Sequence, residues 1–194
     1  ELCGWQSVVF FDDAWPACET NGHWPVHGNT ESLLAGLSQF DGVVVAIGNN
    51  RIRQDKLRQL HDAGARVISV VHPQAIVSRY ASIGSGSAVF AGAVINADAK
   101  VGVGSIINTG ASVDHDCVLG DAVHVSPGAR LAGGVSVGDR SWVGIGAVVR
   151  QTVSVGEDAI VGAGAVVVKD VPPGVTVVGN PARALTSSKR VSLW

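Results

Sequence analysis

The sequence predicts a parallel β-helix preceded by a small α/β domain, and three observations lead to that prediction. An aliphatic residue recurs at every sixth position from Val77 to Val167 without a slip. A second position, four residues later in each unit, is always Ala, Ser, Cys or Val. A fixed period of six is typical of β-helices, whereas the apolar stripe of an α-helix would recur every 3.6 residues. Residues 1–71 lack this period and instead alternate between apolar strands and helical segments.

Residues 1–74 are predicted to form a Rossmann-like α/β domain, because strands and helices alternate along them. The expected strands span 7–11, 42–47 and 66–71, and the expected helices span 30–40 and 51–63. Parallel sheets bind ligands beyond the carboxyl ends of their strands. Polar residues follow the first two strands at those ends: Asp12, Asp13, Gly48, Asn49 and Asn50. Ordinary turn chemistry, which also favours Asp, Asn and Gly, is the alternative interpretation.

Residues 75–185 are predicted to form the β-helix. Each unit reads as a short strand and a corner, with the aliphatic side chain inward and the small residue allowing the chain to turn. Stacked rungs bury an apolar column that one rung cannot bury alone. Glycine follows the aliphatic residue at positions 84, 102, 120, 138, 144, 156 and 162, where we expect a tight bend to suit a residue without Cβ. Pro172 and Pro173 end the repeat, and residues 186–194 are predicted to form a C-terminal tail.

The composition argues against several classes of protein. The formal net charge is −2 and charged residues make up 15% of the chain, whereas a general nucleic-acid binder needs a basic surface. No run of residues is long and apolar enough for a membrane span. Cys3, Cys18 and Cys117 show no metal-site or disulfide spacing, which indicates a reducing compartment. We therefore expect a cytoplasmic protein.

Four segments resemble the PglD/NeuD-like family of sugar acetyltransferases: 46–53 (AIGNNRIR), 107–117 (INTGASVDHDC), 123–135 (VHVSPGARLAGGV) and 177–183 (VVGNPAR). The resemblance covers nearly the whole chain. It implies a left-handed parallel β-helix in which three hexapeptides make one triangular coil, so that residues eighteen apart stack. Members of the family open with a strand and a GxGGH-like loop, which residues 1–74 do not contain. Either the numbered chain lacks that part, which we expect, or this protein has lost part of the nucleotide-binding surface.

The resemblance implies an acetyl-CoA-dependent N-acetyltransferase that acts on a UDP-linked 4-amino-4,6-dideoxy sugar. O-acetylation of sialic acid or a related sugar is the alternative activity, and a non-catalytic β-helix scaffold is a remote one. A zinc enzyme of the γ-carbonic-anhydrase type requires three histidines around the metal. The repeat contains two histidines, so we expect no metal. By resemblance we also expect a homotrimer with active sites between subunits.

His115 is the candidate general base, because acetyl transfer to an amine requires removal of a proton near neutral pH. The repeat places it at an outward position of its unit, with Asp114 and Asp116 on either side. A carboxylate next to a histidine fixes the imidazole tautomer and supports the imidazolium that forms. The resemblance makes Asp116 the orienting acid, whereas the sequence alone leaves Asp114 open.

The remaining site residues are expected along the same columns. Gly133, eighteen residues after His115, leaves space for the thioester, and its N–H is a candidate donor to the oxyanion. His124 stacks under Trp142 by the same spacing, and both are candidates for binding acetyl-CoA, with a packed surface pair as the alternative; the resemblance places His124 against acetyl-CoA. Further candidates for binding acetyl-CoA are Ile145, Gly146, Ala163 and Gly164, with Lys169 and Arg183 for its phosphates. The candidates for binding the sugar nucleotide are Asp12, Asp13, Gly48, Asn49, Asn50 and Arg53, with Asn108 positioning the sugar.

Overall fold

A β-helix dominates the computed structural model, which describes residues 4–185. Its short strands pair with strands eighteen residues away, so that three faces run along the solenoid. The eight-stranded face contains Val70–Val71, Ala88–Val89, Ile106–Ile107, His124–Val125, Trp142–Val143, Ile160–Val161, Thr176–Val178 and the antiparallel strand Arg183–Ala184. The six-stranded face contains Ile76–Val77, Val94–Ile95, Ser112–Val113, Arg130–Leu131, Val148–Val149 and Val166–Val167. The five-stranded face contains Ser82–Ile83, Lys100–Val101, Val118–Leu119, Ser136–Val137 and Ser154–Val155.

The core of the solenoid follows the six-residue period. From Val89 to Val167, every aliphatic residue of the series is at most 4% exposed. The small residues at the corners, such as Ala111 and Cys117, are equally buried and complete the same cluster. The period therefore predicted the core correctly, because each coil contributes one layer of side chains to a continuous column.

The glycines that follow the aliphatic residues have a different role from the one expected. Gly84 is representative: its φ angle is not positive, and an added Cβ would lie 2.6 Å from the carbonyl carbon of Gly102 in the next coil. The left-handed bend comes two residues later, at positions such as Gly86, where φ is +69°. Close stacking of the coils, rather than the bend, therefore excludes a side chain from the first position.

The N-terminal part contains two α-helices and a short hairpin. Helix α1 spans Thr30–Ala35 and is followed by the 3₁₀ turn Leu37–Gln39, so the predicted helix 30–40 is interrupted at Gly36. Helix α2 spans Asn50–Asp62, close to the predicted 51–63. The hairpin pairs Thr20–Asn21 with Trp24–Pro25. None of the helices within residues 4–185 has both the length and the apolar character that crossing a membrane requires.

The predicted N-terminal strands are shorter in the structure than the apolar runs suggested. Segments 7–11 and 42–47 each form one isolated parallel bridge, Phe10 with Val26 and Val43 with Val67. The end of segment 66–71 joins the solenoid, because Val70–Val71 pairs with Ala88–Val89. The three predicted strands therefore do not form the continuous parallel sheet of a Rossmann-like domain.

Helix α2 lies along one edge of the solenoid, which we call the helix edge and define by the corners 102–105, 120–123 and 138–141. Leu57 packs against the corner glycine Gly104. Asn50, two helical turns earlier, donates to the carbonyl oxygen of Ser141, two coils further along. A helical turn rises about 5.4 Å, and neighbouring strands lie about 4.8 Å apart. Successive turns of α2 therefore meet successive coils.

Candidate active site

The site residues predicted on the solenoid lie mainly on its two other edges. We call one the His115 edge, defined by the corners 96–99, 114–117, 132–135, 150–153 and 168–171. We call the other the Ile145 edge, defined by the corners 108–111, 126–129, 144–147 and 162–165. Both edges border the six-stranded face, and strands such as Ser112–Val113 run from one to the other. Within one chain, the width of this face therefore separates His115 from the predicted site residues on the Ile145 edge.

His115 and Asp116 form an exposed hydrogen-bonded pair. The His115 Nδ1 and Asp116 Oδ2 atoms are 2.7 Å apart, and the two side chains are 62% and 66% exposed. Because an ionised carboxylate only accepts hydrogen bonds, Nδ1 carries the proton and Nε2 keeps its lone pair in the neutral ring. The hydrogen bond to Asp116, followed by the negative charge of Asp114, raises the pKa of His115. The pair therefore has the arrangement that a general base requires.

Asp114 holds the backbone of His115 rather than its ring. Its Oδ1 atom accepts a hydrogen bond of 2.8 Å from the His115 N–H and one of 2.9 Å from Asn96 Nδ2. The backbone hydrogen bond, followed by that from Asn96, lowers the pKa of the Asp114 carboxyl. The geometry thus distinguishes the two carboxylates, because Asp116 bonds to the ring of His115 and Asp114 bonds to its backbone. The sequence alone had left this assignment open. Asn96 was not predicted, although it precedes Asp114 by eighteen residues and the column spacing pairs them.

Gly133 lies beneath the imidazole of His115. A Cβ at Gly133 would come within 2.5 Å of His115 Cε1 and 2.6 Å of Nε2. This changes the interpretation of the glycine, because the space above it is filled by the imidazole rather than left for the thioester. Within residues 4–185, no acceptor takes a hydrogen bond from the Gly133 N–H. That donor is consequently available to a group bound next to His115.

His124 is a buried, neutral histidine on the eight-stranded face. It is 7% exposed, and its ring centroid lies 4.2 Å from that of Trp142. Asn108 Nδ2 lies 3.2 Å from His124 Nε2 and donates to it, which places the ring proton on Nδ1. Nδ1 is buried and has no partner among the described residues. Burial, followed by the charge of Arg53, lowers the pKa of His124 to about 4.

Some of the residues predicted to bind acetyl-CoA lie along the Ile145 edge. Four of them are exposed corner residues: Ile145, Gly146, Ala163 and Gly164. Lys169 and Arg183 lie apart from these and line one cavity of about 290 Å³ at the C-terminal end of the solenoid. The two cations are therefore brought together, as binding of phosphate groups would require.

The polar residues that follow the N-terminal strands have local hydrogen-bonding roles. Asp12 Oδ1 accepts from the Ala14 N–H, and Asn49 Oδ1 caps helix α2. The Asp13 carboxylate accepts from the Thr30 N–H and from Lys56 Nζ, which is 2.9 Å away. Hydrogen bonds from Thr30 and then from Lys56 lower the pKa of Asp13 to about 2. Lys56 was not predicted, because its contact with Asp13 joins residues 43 positions apart.

The structure corrects the assignment of Arg53 and Asn50 to the substrate. Arg53 is 1% exposed, and all five of its N–H groups donate to protein oxygen atoms. Asn50 is 8% exposed, donates to two carbonyl oxygens of the solenoid and accepts from Arg53. Neither side chain has a donor left for a ligand, so both residues join α2 to the solenoid instead.

Cys117, two residues from His115, is not placed to act as a nucleophile. It is fully buried, and its Sγ atom donates to the carbonyl oxygen of Ala132. Burial raises the pKa of this thiol, which disfavours the reactive thiolate. In the described part of the chain, no group of three or more His, Cys, Asp or Glu side chains is placed to hold a metal ion.

Comparisons with known proteins match both parts of the chain. Residues 1–60 match the PglD N-terminal domain, and residues 134–169 match the bacterial transferase hexapeptide (six repeats). No curated protein sequence matches the chain. A mutant of perosamine N-acetyltransferase from Caulobacter crescentus, solved with CoA and GDP-perosamine, is 45% identical over 87% of this chain and 82% of its own, with a TM-score of 0.84.

Two further solved structures are similar. The acetyltransferase domain of PglB from Neisseria gonorrhoeae FA1090, in complex with acetyl coenzyme A, is 41% identical, with 93% of this chain and 87% of that one covered and a TM-score of 0.85. WeeI from Acinetobacter baumannii AYE is 34% identical, with 91% and 85% covered and a TM-score of 0.84.

The solenoid and its outward histidine–carboxylate pair define a hexapeptide-repeat acyltransferase with a left-handed parallel β-helix. More particularly, the chain belongs to the PglD-like family of sugar acetyltransferases, because its N-terminal domain, its repeat and relatives of about 45% identity all agree. The predicted fold, family and enzyme class are thereby confirmed.

Proposed function

We propose that this protein transfers the acetyl group of acetyl-CoA to the amine of an amino sugar linked to a nucleoside diphosphate, with His115 as the general base. The observation that carries the proposal is the 2.7 Å contact between His115 Nδ1 and Asp116 Oδ2, in a ring that lies against Gly133 of the next coil. Relatives solved with acetyl coenzyme A, and with CoA and GDP-perosamine, support the choice of both substrates.

In the proposed mechanism, His115 and Gly133 act on the same reacting centre. Nε2 of His115 accepts a proton from the amine as the amine nitrogen bonds to the thioester carbonyl carbon. The Gly133 N–H donates to the oxyanion of the tetrahedral intermediate. When the carbon–sulfur bond breaks, the proton on Nε2 passes to the departing thiolate, which leaves N-acetyl sugar and CoA. Asp116 holds the ring throughout and stabilises the imidazolium.

The separation of the two edges supports a site shared between chains. His115 and Ile145 border opposite margins of the six-stranded face, so one chain does not bring the proposed base together with the predicted CoA contacts of the Ile145 edge. Ile76, Val94, Val148 and Val166 point outward from that face and are at least partly exposed. We therefore propose a cyclic trimer in which the His115 edge of one copy meets the Ile145 edge of the next.

Mixing two inactive variants tests this arrangement. We choose His115→Ala, which removes the base, and Ile145→Asp, which places a charge on an exposed position of the other edge. If each site uses one edge from each of two chains, roughly a quarter of the sites in randomly mixed trimers contain both native edges. Co-expressed chains should then recover about that share of the wild-type rate. No recovery, or a stable active monomer by light scattering, would contradict the shared site.

The identity of the nucleotide is tested with UDP-linked and GDP-linked amino sugars. The sequence resemblance favours UDP, whereas the 45% identical relative was solved with GDP-perosamine. Release of CoA thiol should depend on an acceptor of one of these two kinds, with mass spectrometry showing acetylation of the amine. If only hydroxyl acceptors such as sialic acid are acetylated, the proposal of amine transfer fails. Failure to bind acetyl-CoA would instead favour a non-catalytic scaffold.

A further inference from the structure

Arg53 is a buried guanidinium without an acidic partner among residues 4–185. Its five N–H groups donate to oxygen atoms at distances of 2.7–2.9 Å, and none of these acceptors is a carboxylate. Burial lowers its pKa to about 10, so the side chain remains charged at neutral pH. Burying a charge without a counter-ion is strongly unfavourable. Apolar residues such as Leu57 already dock the same helix on the solenoid, so attachment alone does not account for an arginine here.

The acceptors of Arg53 belong to two separate parts of the molecule. Nη1 donates to the carbonyl oxygens of Ile47 and Gly48, in the loop that precedes α2. Nε and Nη2 donate to the carbonyl oxygens of Gly104 and Ala122, in two successive coils of the solenoid. A planar fork of five donors can bond to both sides at once, whereas the three donors of a lysine sit on one atom. The side chain thus fixes the loop against two coils.

Both segments that Arg53 joins are next to residues predicted to bind a substrate. Gly48 and Asn49, on the loop side, are candidates for the sugar nucleotide. Ala122, on the solenoid side, precedes His124 by two residues, and His124 contacts Asn108, the candidate for positioning the sugar. Asn50 reinforces the connection, because its Oδ1 accepts from Arg53 while its Nδ2 donates to the next coil.

We propose that Arg53 is a positioning residue that holds the loop 47–49 in register with the coil carrying His124, and so sets where the sugar nucleotide lies relative to the acetyl donor. This inference rests on the proposed function, because it assigns the loop to the nucleotide. Arg53 itself touches neither substrate, since its donors are all engaged by the protein. Its effect passes through the backbone carbonyls of Ile47 and Gly48.

The test compares Arg53→Lys with Gln54→Ala. The first keeps a positive charge but removes the fork. The second is a matched control on the same helix, because Gln54 is 7% exposed and its Oε1 accepts a hydrogen bond from Arg140 of the solenoid rather than from the loop. Arg53→Lys should raise the KM for the sugar nucleotide at least tenfold while the KM for acetyl-CoA changes less than about twofold. Gln54→Ala should change neither KM by more than about twofold. Because KM does not depend on the folded fraction, lower stability alone does not produce this pattern.

Asn50→Ala provides a second variant if Arg53→Lys does not fold. It leaves the four backbone contacts of Arg53 in place and should raise the KM for the sugar nucleotide in the same direction by a smaller factor. Equal changes in both KM values, or the same changes in Gln54→Ala, would overturn the inference.

Calorimetry distinguishes this inference from the proposed function. If the wild-type protein acetylates no nucleotide-linked amino sugar, the proposed function fails, and binding of UDP, GDP and CoA is measured instead. Weaker nucleotide binding by Arg53→Lys, with CoA binding unchanged, would still support the positioning role. Unchanged nucleotide binding, or none by the wild type, would overturn it.

Discussion

The imidazole of His115 lies over the backbone of Gly133, eighteen residues later in the chain and one coil further along the solenoid. A Cβ on Gly133 would come within 2.6 Å of His115 Nε2, the nitrogen that is not bonded to Asp116. The bare backbone therefore allows the ring to rest against the next coil, where the Gly133 N–H has no protein acceptor among residues 4–185. The stacking of two coils thus holds together the proposed base and the proposed oxyanion donor.

Gly133→Ala should lower kcat at least tenfold without unfolding the protein, because the new methyl group displaces the imidazole while the φ angle of Gly133 is not positive. Steady-state kinetics on the two single variants and on the double variant with His115→Ala form a complete cycle. The double variant should be no slower than His115→Ala alone, since the glycine has nothing to accommodate once the ring is gone. A further loss in the double variant would show that Gly133 acts independently of His115.

His115→Ala should lower kcat by about 10²–10⁴, the usual range for loss of a general base. The protein should remain folded, because the side chain is 62% exposed and its removal leaves no cavity in the core. A correctly folded variant, saturated with both substrates, that retains more than about a tenth of the wild-type kcat would exclude His115 as the base.

The pH profile tests the same residue. The base is active when neutral, and its pKa is raised by Asp116 and Asp114, so kcat/KM should rise with pH through a midpoint above the ordinary imidazole value. In wild-type protein this limb should be visible, and in His115→Ala it should be absent. A limb that persists unchanged in the variant would belong to the amine substrate instead.

Asp116→Asn and Asp114→Asn should have different effects. Asp116→Asn replaces the charged acceptor of His115 Nδ1 with a neutral amide, which orients the ring less firmly and no longer stabilises the imidazolium by its charge. The value of kcat should therefore fall, by at most roughly the 10²–10⁴ expected for His115→Ala, and the acidic limb should move to lower pH. Asp114→Asn removes a negative charge that raises the pKa of His115, so the limb should move in the same direction. The loss of kcat should be smaller, because the amide still offers an oxygen to the His115 N–H. Measuring kcat against pH for both variants decides between them, and a larger loss in Asp114→Asn would reverse the assignment.

His124 should make the protein less stable in acid. Its pKa is about 4 in the folded state, against an ordinary value of about 6.5, so folding favours the neutral ring. This contribution is complete above about pH 6.5 and is lost as the pH falls towards 4, in total about 3 kcal/mol of unfolding free energy. Urea unfolding at fixed protein concentration should show this loss in the wild type and not in His124→Phe. His61→Gln, at an exposed histidine of α2, should behave as the wild type, and an equal loss in all three proteins would contradict the prediction.

The sequence alone determined the solenoid, its core and the pairing of His115 with Gly133. A β-helix turns a fixed spacing in the chain into adjacency in space, because every coil repeats after eighteen residues. The buried aliphatic column and the stacked corners follow from that arithmetic. The same arithmetic would have paired Asn96 with Asp114.

Only the tertiary structure decided the contacts that do not follow the eighteen-residue spacing. Asp114 and Asp116 flank His115 equally in sequence, and the corner geometry, with a φ of +58° at Asp116, directs one carboxylate to the ring and the other to the backbone. Arg53 likewise contacts Gly104 and Ala122 across 51 and 69 positions of chain. Such contacts depend on the position of helix α2 on the helix edge of the solenoid. Packing and hydrogen bonds between distant segments determine that position, and they leave no repeating pattern in the sequence.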